Sequence, residues 1–285
     1  MMPPALLQQP PFRLPAGSEP AAVGAAIVTS FDWFATAPAP LATAYAIAMQ
    51  VCGIPGDDPL HRAGMAAARD IDTGIGAGCD NGYHNHRHFC EVVLCALFLA
   101  QLVQLARREQ ALVVLAALLH DFHHDGRPNG QPFRLELRSV AAARPYLQEA
   151  GVDLAEQAAL STLVLATDSA RGVPLARCCH GWHSGDMMPP PESPLPQLDS
   201  LILLPRLALM AVLLTEADVL PSVALTMAHA DVTTARLESE WGTTLGPRSK
   251  VEFIDRYIGE FQVARFFLPN LREVRRISLQ RACLR

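Results

Sequence analysis

The chain has 285 residues, 50% hydrophobic and 18% charged, which is enough to bury a large core without staples and too apolar for a disordered chain. A net charge of −5 argues against nucleic acid or an anionic membrane as the main partner. Seven cysteines with no C-x-x-C pair read as reduced thiols, and a cytoplasmic location is expected.

Residues 1–24 are rich in Pro and Gln, lack a basic stretch ahead of an apolar core, and read as a disordered lead rather than a signal peptide. Helices suit 40–52 and 60–72, with breakers at 53–58 and 74–82. Phe89, Val92, Val93, Ala96, Leu97, Ala100 and Val103 recur at i, i+3, i+4, i+7 and mark a buried helix face. A second apolar helix is predicted over 110–121, and another over 134–149. Asp153 and Glu156 form a D-x-x-E start for a helix running to about Asp168. Residues 172–199, with their cluster of prolines, read as a long surface loop. Its Cys178, Cys179, His180 and His183 lack the usual zinc-ligand spacing. Helices follow over 200–219, 222–241 and 249–267. The apolar runs 92–100 and 111–119 are about half a membrane span. The expectation is an all-α chain of roughly nine or ten helices, with one domain over 25–285 and no membrane association.

Ten histidines are present, and six of them fall between His84 and His124. His84 and His88 are i, i+4 and share a helix face, with Glu91 and Cys95 continuing the stripe. Alone, such a pair is usually a solvated surface. His120 and Asp121, however, end a very apolar helix, where an imidazole and a carboxylate are costly without a partner. Asp218 repeats that placement at the end of the apolar 200–219 segment. Two imidazoles and two carboxylates suit Zn, Mn or Fe, and a bridging carboxylate makes a two-metal centre feasible.

These residues resemble the HD-domain metal phosphohydrolases. The finer resemblance is to the catalytic domain of class I 3′,5′-cyclic-nucleotide phosphodiesterases. The family pattern YHNxxHaxdV is met by Tyr83-His84-Asn85-His86-Arg87-His88-Phe89-Cys90-Glu91-Val92. HDxxHpGxxN is met by the stretch from His120-Asp121 through His124 and Gly126 to Asn129. LATD stands at Leu165-Ala166-Thr167-Asp168, the A-D pair at Ala217-Asp218, and a SQVGFIDyI-like run at Ser249-Lys250-Val251-Glu252-Phe253-Ile254-Asp255-Arg256-Tyr257-Ile258. The motifs stand in family order over residues 83–267.

The resemblance implies a compact helical fold with two divalent cations. Zinc is expected at the first site and magnesium or manganese at the second, with iron as an option. His88, His120, Asp121 and Asp218 would be the ligands, with Asp121 reaching both cations. His84 would be the general acid. Glu91, His124, Asn129, Glu136, Thr167 and Asp168 match residues that support the ligands or hold water, and Glu91 or Glu136 is expected to fix an imidazole tautomer. Tyr83 and Phe253 match the substrate side, Phe253 as a clamp on a base. The family's base-reading glutamine is replaced by Lys250, which only donates hydrogen bonds. The family's asparagine after A-D is missing from Val219-Leu220-Pro221, and Arg138 and Ser139 stand where it has histidines.

The function implied is hydrolysis of a cyclic nucleotide or related small phosphodiester by a hydroxide shared between the cations. A nucleotidase acting on monoesters, a di-iron oxygenase using His123 or His124 as an extra ligand, and a silent scaffold are the alternatives. A homodimer is compatible with the sequence. His86 and His123 fall at variable family positions, and His61 and His229 read as helix-surface residues. Arg272, Arg275, Arg276, Arg281 and Arg285 read as a solvated face.

Overall fold

Proline opens the first three helices, at a position where its missing N–H leaves no bond unmade. They are α1 (Pro20–Ala35), α2 (Pro40–Val51) and α3 (Pro59–Asp72), and Asp58 caps the last by accepting from the Leu60 N–H. The computed structural model describes residues 17–76 and 81–284. Residues 1–16 of the predicted disordered lead lie outside the described residues. Its last five residues begin α1, because Val23, Ile27, Phe31 and Phe34 place one apolar face in the core.

α4 (His86–Leu102) is capped by the Asn85 side chain, which accepts from the Arg87 N–H at 3.0 Å. Every residue from His88 to Gln101 is buried, so this helix is enclosed all round rather than along one stripe. It packs against α1, α2, α5 (Arg107–Leu119) and α10 (Pro205–Val223). Between those last two come α6 (Arg134–Glu149), α7 (Leu154–Leu165), α8 (Gly172–His183) and α9 (Asp199–Leu203). The D-x-x-E signal holds: Asp153 accepts from the Glu156 N–H at 2.8 Å and starts α7.

The expected loop 172–199 is a loop only in its second half. Asp168 Oδ1 accepts from the N–H groups of Ala170 and Arg171 and so launches α8, where Pro174 sits harmlessly in the first turn. Cys178, Cys179, His180 and His183 are therefore on a helix, and His183 is tied to the Leu201 carbonyl at 3.1 Å. The predicted 200–219 helix breaks before Pro205, and α9 meets α10 at a bend of 112°. No single helix among the described residues is long and apolar enough to cross a membrane, and only that bent pair passes by length and composition. After α11 (Met227–Trp241), α12 (Pro247–Phe253) runs into a π-helical turn at Ile254–Ile258, and α13 (Leu268–Cys283) closes the chain. Among the described residues there are thirteen α-helices and no strand, sharing one continuous apolar core.

Candidate metal centre

The N-terminal end of α4, the C-terminal end of α5 and the later turns of α10 bring four side chains to one point. His88 Nε2 lies 3.3 Å from Asp121 Oδ2 and 3.3 Å from Asp218 Oδ1. His120 Nε2 lies 3.1 Å and 3.5 Å from the same two oxygens, and 3.3 Å from His88 Nε2. His120 Nδ1–H donates to the Ala117 carbonyl at 2.8 Å, which turns the lone pair of Nε2 toward the cluster. Both imidazoles are sealed at 1% exposure, whereas Asp121 and Asp218 keep 17% and 28% of their side chains open on the solvent side.

The electrostatics of the cluster call for positive charge. Burial disfavours a charged His88, yet the two carboxylates overcome it and raise its pKa to about 9. Burial works against the charge of both aspartates too, and the facing imidazoles still hold them well below the usual carboxylate range. Donor atoms of His88, His120 and Asp121 lie within 4.8 Å of one another. Two nitrogens and two carboxylates at this spacing fit a divalent cation of the Zn, Mn or Fe type.

His84 stands just outside the cluster, its Nε2 3.8 Å from Asp121 Oδ2. Its Nδ1–H donates to Glu240 Oε1, while Glu240 Oε2 accepts from the N–H groups of Tyr83 and His84, each at 2.8 Å. Burial opposes the Glu240 charge, but these donors win and lower its pKa to about 2. The His124 ring stacks on His84 at 3.6 Å and accepts through Nδ1 from the Gly126 N–H at 3.0 Å. Burial lowers the His124 pKa to about 4, with the Asp121 charge opposing, so this ring is neutral at pH 7. His84, His124 and Glu240 also lie close enough to hold an ion. The facing nitrogens are already committed to protein partners, and the group is better described as a hydrogen-bonded support for His84.

No family model matches the sequence, and no curated protein sequence matches it either. The solved structures do show similarity. A structure described as LmjPDEB1 in complex with IBMX superposes with a TM-score of 0.63 at 15% identity, covering 90% of this chain and 91% of that one. Two structures of the phosphodiesterase domain of the rhodopsin phosphodiesterase from the choanoflagellate Salpingoeca rosetta give TM-scores of 0.58 and 0.59 at 17% and 18% identity. They cover 94% and 92% of this chain and 91% and 89% of those chains. This chain has the phosphodiesterase-domain fold.

Within that phosphodiesterase-domain fold, the remaining sequence candidates divide. Asn129 joins Glu136 and Asp168, donating from Nδ2 to Glu136 Oε2 at 2.9 Å and to Asp168 Oδ2 at 3.3 Å. Burial, reinforced by the charges of Asp168 and Asp121, raises the Glu136 pKa to about 7. Thr167 donates to the Val164 carbonyl and lines a cavity of about 120 Å³ with Asp218, Phe253 and Tyr257. Tyr83 packs its ring on His88 at 4.6 Å and pairs its hydroxyl with Ser222 at 3.1 Å, which makes it a wall orienting the imidazoles.

Several expectations are corrected. Glu91 hydrogen-bonds none of the four clustered residues. It accepts from Arg236 at 3.0 Å and lies 3.5 Å from His229 Nε2, tying α4 to α11. Neither Glu91 nor Glu136 fixes the His84 tautomer; Glu240 does. His229 is buried at 7% exposure, not on the surface. Lys250 does not line the cavity beside Asp218. Its long stem carries the ammonium to the Ala230 carbonyl at 2.7 Å, in a separate cleft. His123, in a left-handed backbone conformation at φ 64°, edges onto Phe122 rather than joining the donors.

Sequence reasoning missed Glu240 altogether. It lies 156 residues from His84, and no local spacing links them. Gly82 was the available hint. A Cβ there would sit 2.7 Å from the Arg236 carbonyl oxygen, so glycine lets the Tyr83–His84 backbone lie against α11 within reach of Glu240.

Proposed function

We propose that the chain is a metal-dependent phosphodiesterase acting on a cyclic nucleotide or related small phosphodiester. The observation that carries this reading is the convergence of His88, His120, Asp121 and Asp218, with His84 held beside them by Glu240. The sequence motifs and the fold support it together. The shared apolar core supports treating the described residues as one catalytic unit.

His88, His120, Asp121 and Asp218 would hold the first cation, zinc by the chemistry of the set, and Asp121 would turn toward a second, magnesium or manganese, with iron as an option. Such cations supply a strongly nucleophilic oxygen from water and neutralise phosphate oxygens as charge builds. His84 delivers the proton that the departing ester oxygen needs. Glu240 occupies Nδ1, so Nε2 is the nitrogen that faces the reaction, and the carboxylate stabilises the imidazolium before transfer. Asn129 ties Glu136 and Asp168 together within reach of the Asp121 charge, where they would hold water, and burial keeps Glu136 able to accept or donate near neutral pH. Phe253 and Tyr257 flank the part of the substrate beyond the phosphate.

Metal analysis of the purified protein, with a panel of cyclic mononucleotides, cyclic dinucleotides and bis-p-nitrophenyl phosphate, tests the reading. His84→Ala should keep its metal and lose roughly 10²–10⁴-fold in turnover. Asp218→Ala should lose metal and activity together. Full diesterase activity in metal-free Asp218→Ala protein, or hydrolysis of monoesters only, overturns the proposal.

A further inference from the structure

Lys250 is the only lysine in the chain, and its burial needs an explanation apart from the metal centre. It lines a cleft of about 580 Å³ between α11, α12 and α13. That volume falls in the range of small-molecule sites, roughly 300–1,000 Å³. Met227, Leu245, Pro247 and Leu284 supply apolar walls.

The polar groups are unevenly matched. Lys250 keeps only 11% of its side chain exposed, and Arg281, 47% exposed, lines the same cleft. Both face the Asp231 carboxylate. Arg281 Nη1 donates to Asp231 Oδ1 at 3.0 Å, whereas Lys250 Nζ stays 3.9 Å away, beyond hydrogen-bonding distance. The other acid, Glu238, uses Oε1 to accept from the Leu245 N–H at 2.6 Å. An ammonium carries three N–H donors and a guanidinium five, and neither accepts. Among the described residues, Lys250 commits one donor to the Ala230 carbonyl and Arg281 uses Nη1 on Asp231. Both cations thus keep N–H donors to spare in a cleft that Asp231, Glu238, Thr234 and Ser278 line beside the apolar walls. Burial works most against the Lys250 charge and Arg281 adds to it, while Asp231 and Glu238 favour it.

We propose that this cleft binds an amphipathic carboxylate, with its head group between Lys250 and Arg281 and its apolar body along Met227, Leu245 and Pro247. A carboxylate suits the guanidinium fork and the ammonium alike, and charge-assisted bonds in a partly closed site are the strong ones. The site does not depend on the chemistry at the metal centre.

Titration calorimetry of the full chain with decanoate, and with decanol as the uncharged match, tests this. Decanoate should bind saturably with one site and at least tenfold more tightly than decanol. Lys250→Met and Arg281→Met should each weaken decanoate at least tenfold and leave decanol unchanged. Because there is one lysine, its acetylation can be followed on a single peptide, and decanoate should slow it in the unsubstituted chain. That readout stands even if a variant folds poorly. Absence of saturable binding, equal affinity for the two probes, or undiminished acetylation of Lys250 under saturating decanoate overturns the proposal.

Discussion

His84 gives one ring nitrogen to Glu240 on α11 and turns the other toward Asp121. The proposed proton donor is therefore set by a residue far away in the chain. Glu240→Gln keeps the shape but removes the charge that favours the imidazolium. Turnover should fall roughly tenfold or more while metal content stays at the wild-type level. Loss of metal in that variant would show that Glu240 serves the cluster instead. His124 makes a different prediction. Its folded pKa of about 4 lies below the ordinary histidine value, so the unfolded chain takes up the proton first. The stability from this neutral ring is present above about pH 6.5 and is lost as pH falls through about 4. Between pH 7.5 and 4.5, denaturant unfolding of the metal-free His124→Gln variant should lose about 2–3 kcal/mol less stability than wild type. Equal losses would place the acid sensitivity elsewhere. His88, His120, Asp121 and Asp218 were legible as candidates because imidazoles and carboxylates are costly in apolar helices, whereas His84, expected to share a helix face with His88, lies ahead of the Asn85 cap and outside α4. Glu91 and Lys250 were misplaced because a motif position states nothing about which way a long side chain turns.

Among the elements, α11 carries more than its sequence suggests. Its residues Arg236, His229 and Glu240 meet Glu91 and His84, so one helix braces both the buried acid of α4 and the proposed proton donor. Gly82 permits that close seat. In Gly82→Ala, the new methyl group meets backbone at 2.7 Å, which cannot yield as a flexible side chain would. The Tyr83–His84 segment must move away from Glu240. Turnover should drop at least tenfold with metal retained, and thermal denaturation should show a lower midpoint. A fully active Gly82→Ala enzyme would mean that the Glu240 contact is dispensable. The α8 helix shows the limit of composition. The prolines and cysteines of 172–199 suggested a loop, but Asp168 caps the first half into a helix through backbone groups that composition does not display.

For the whole molecule, the candidate metal cluster lies where the first turn of α4, the C-terminal end of α5 and the later turns of α10 meet, with imidazoles and carboxylates facing one another. Four such groups repel or leave lone pairs facing unless protons or cations intervene. Bound cation should therefore raise the thermal midpoint by mass action, and a chelator should lower it. Protons compete for the same atoms, so apparent metal affinity should rise with pH below about 9, the value His88 reaches without a cation. Calorimetric metal titrations at several pH values check both points, and a pH-independent affinity would argue against imidazole ligation. The all-helical class, the apolar segments around the site and the residue types at their ends were readable from local spacing, because helix period and burial cost act over a few residues. Which groups meet was settled by packing. The convergence of α4, α5 and α10, the reach of Glu240 to His84, and the turn of Lys250 into its own cleft depend on long-range contacts that residue order does not encode locally.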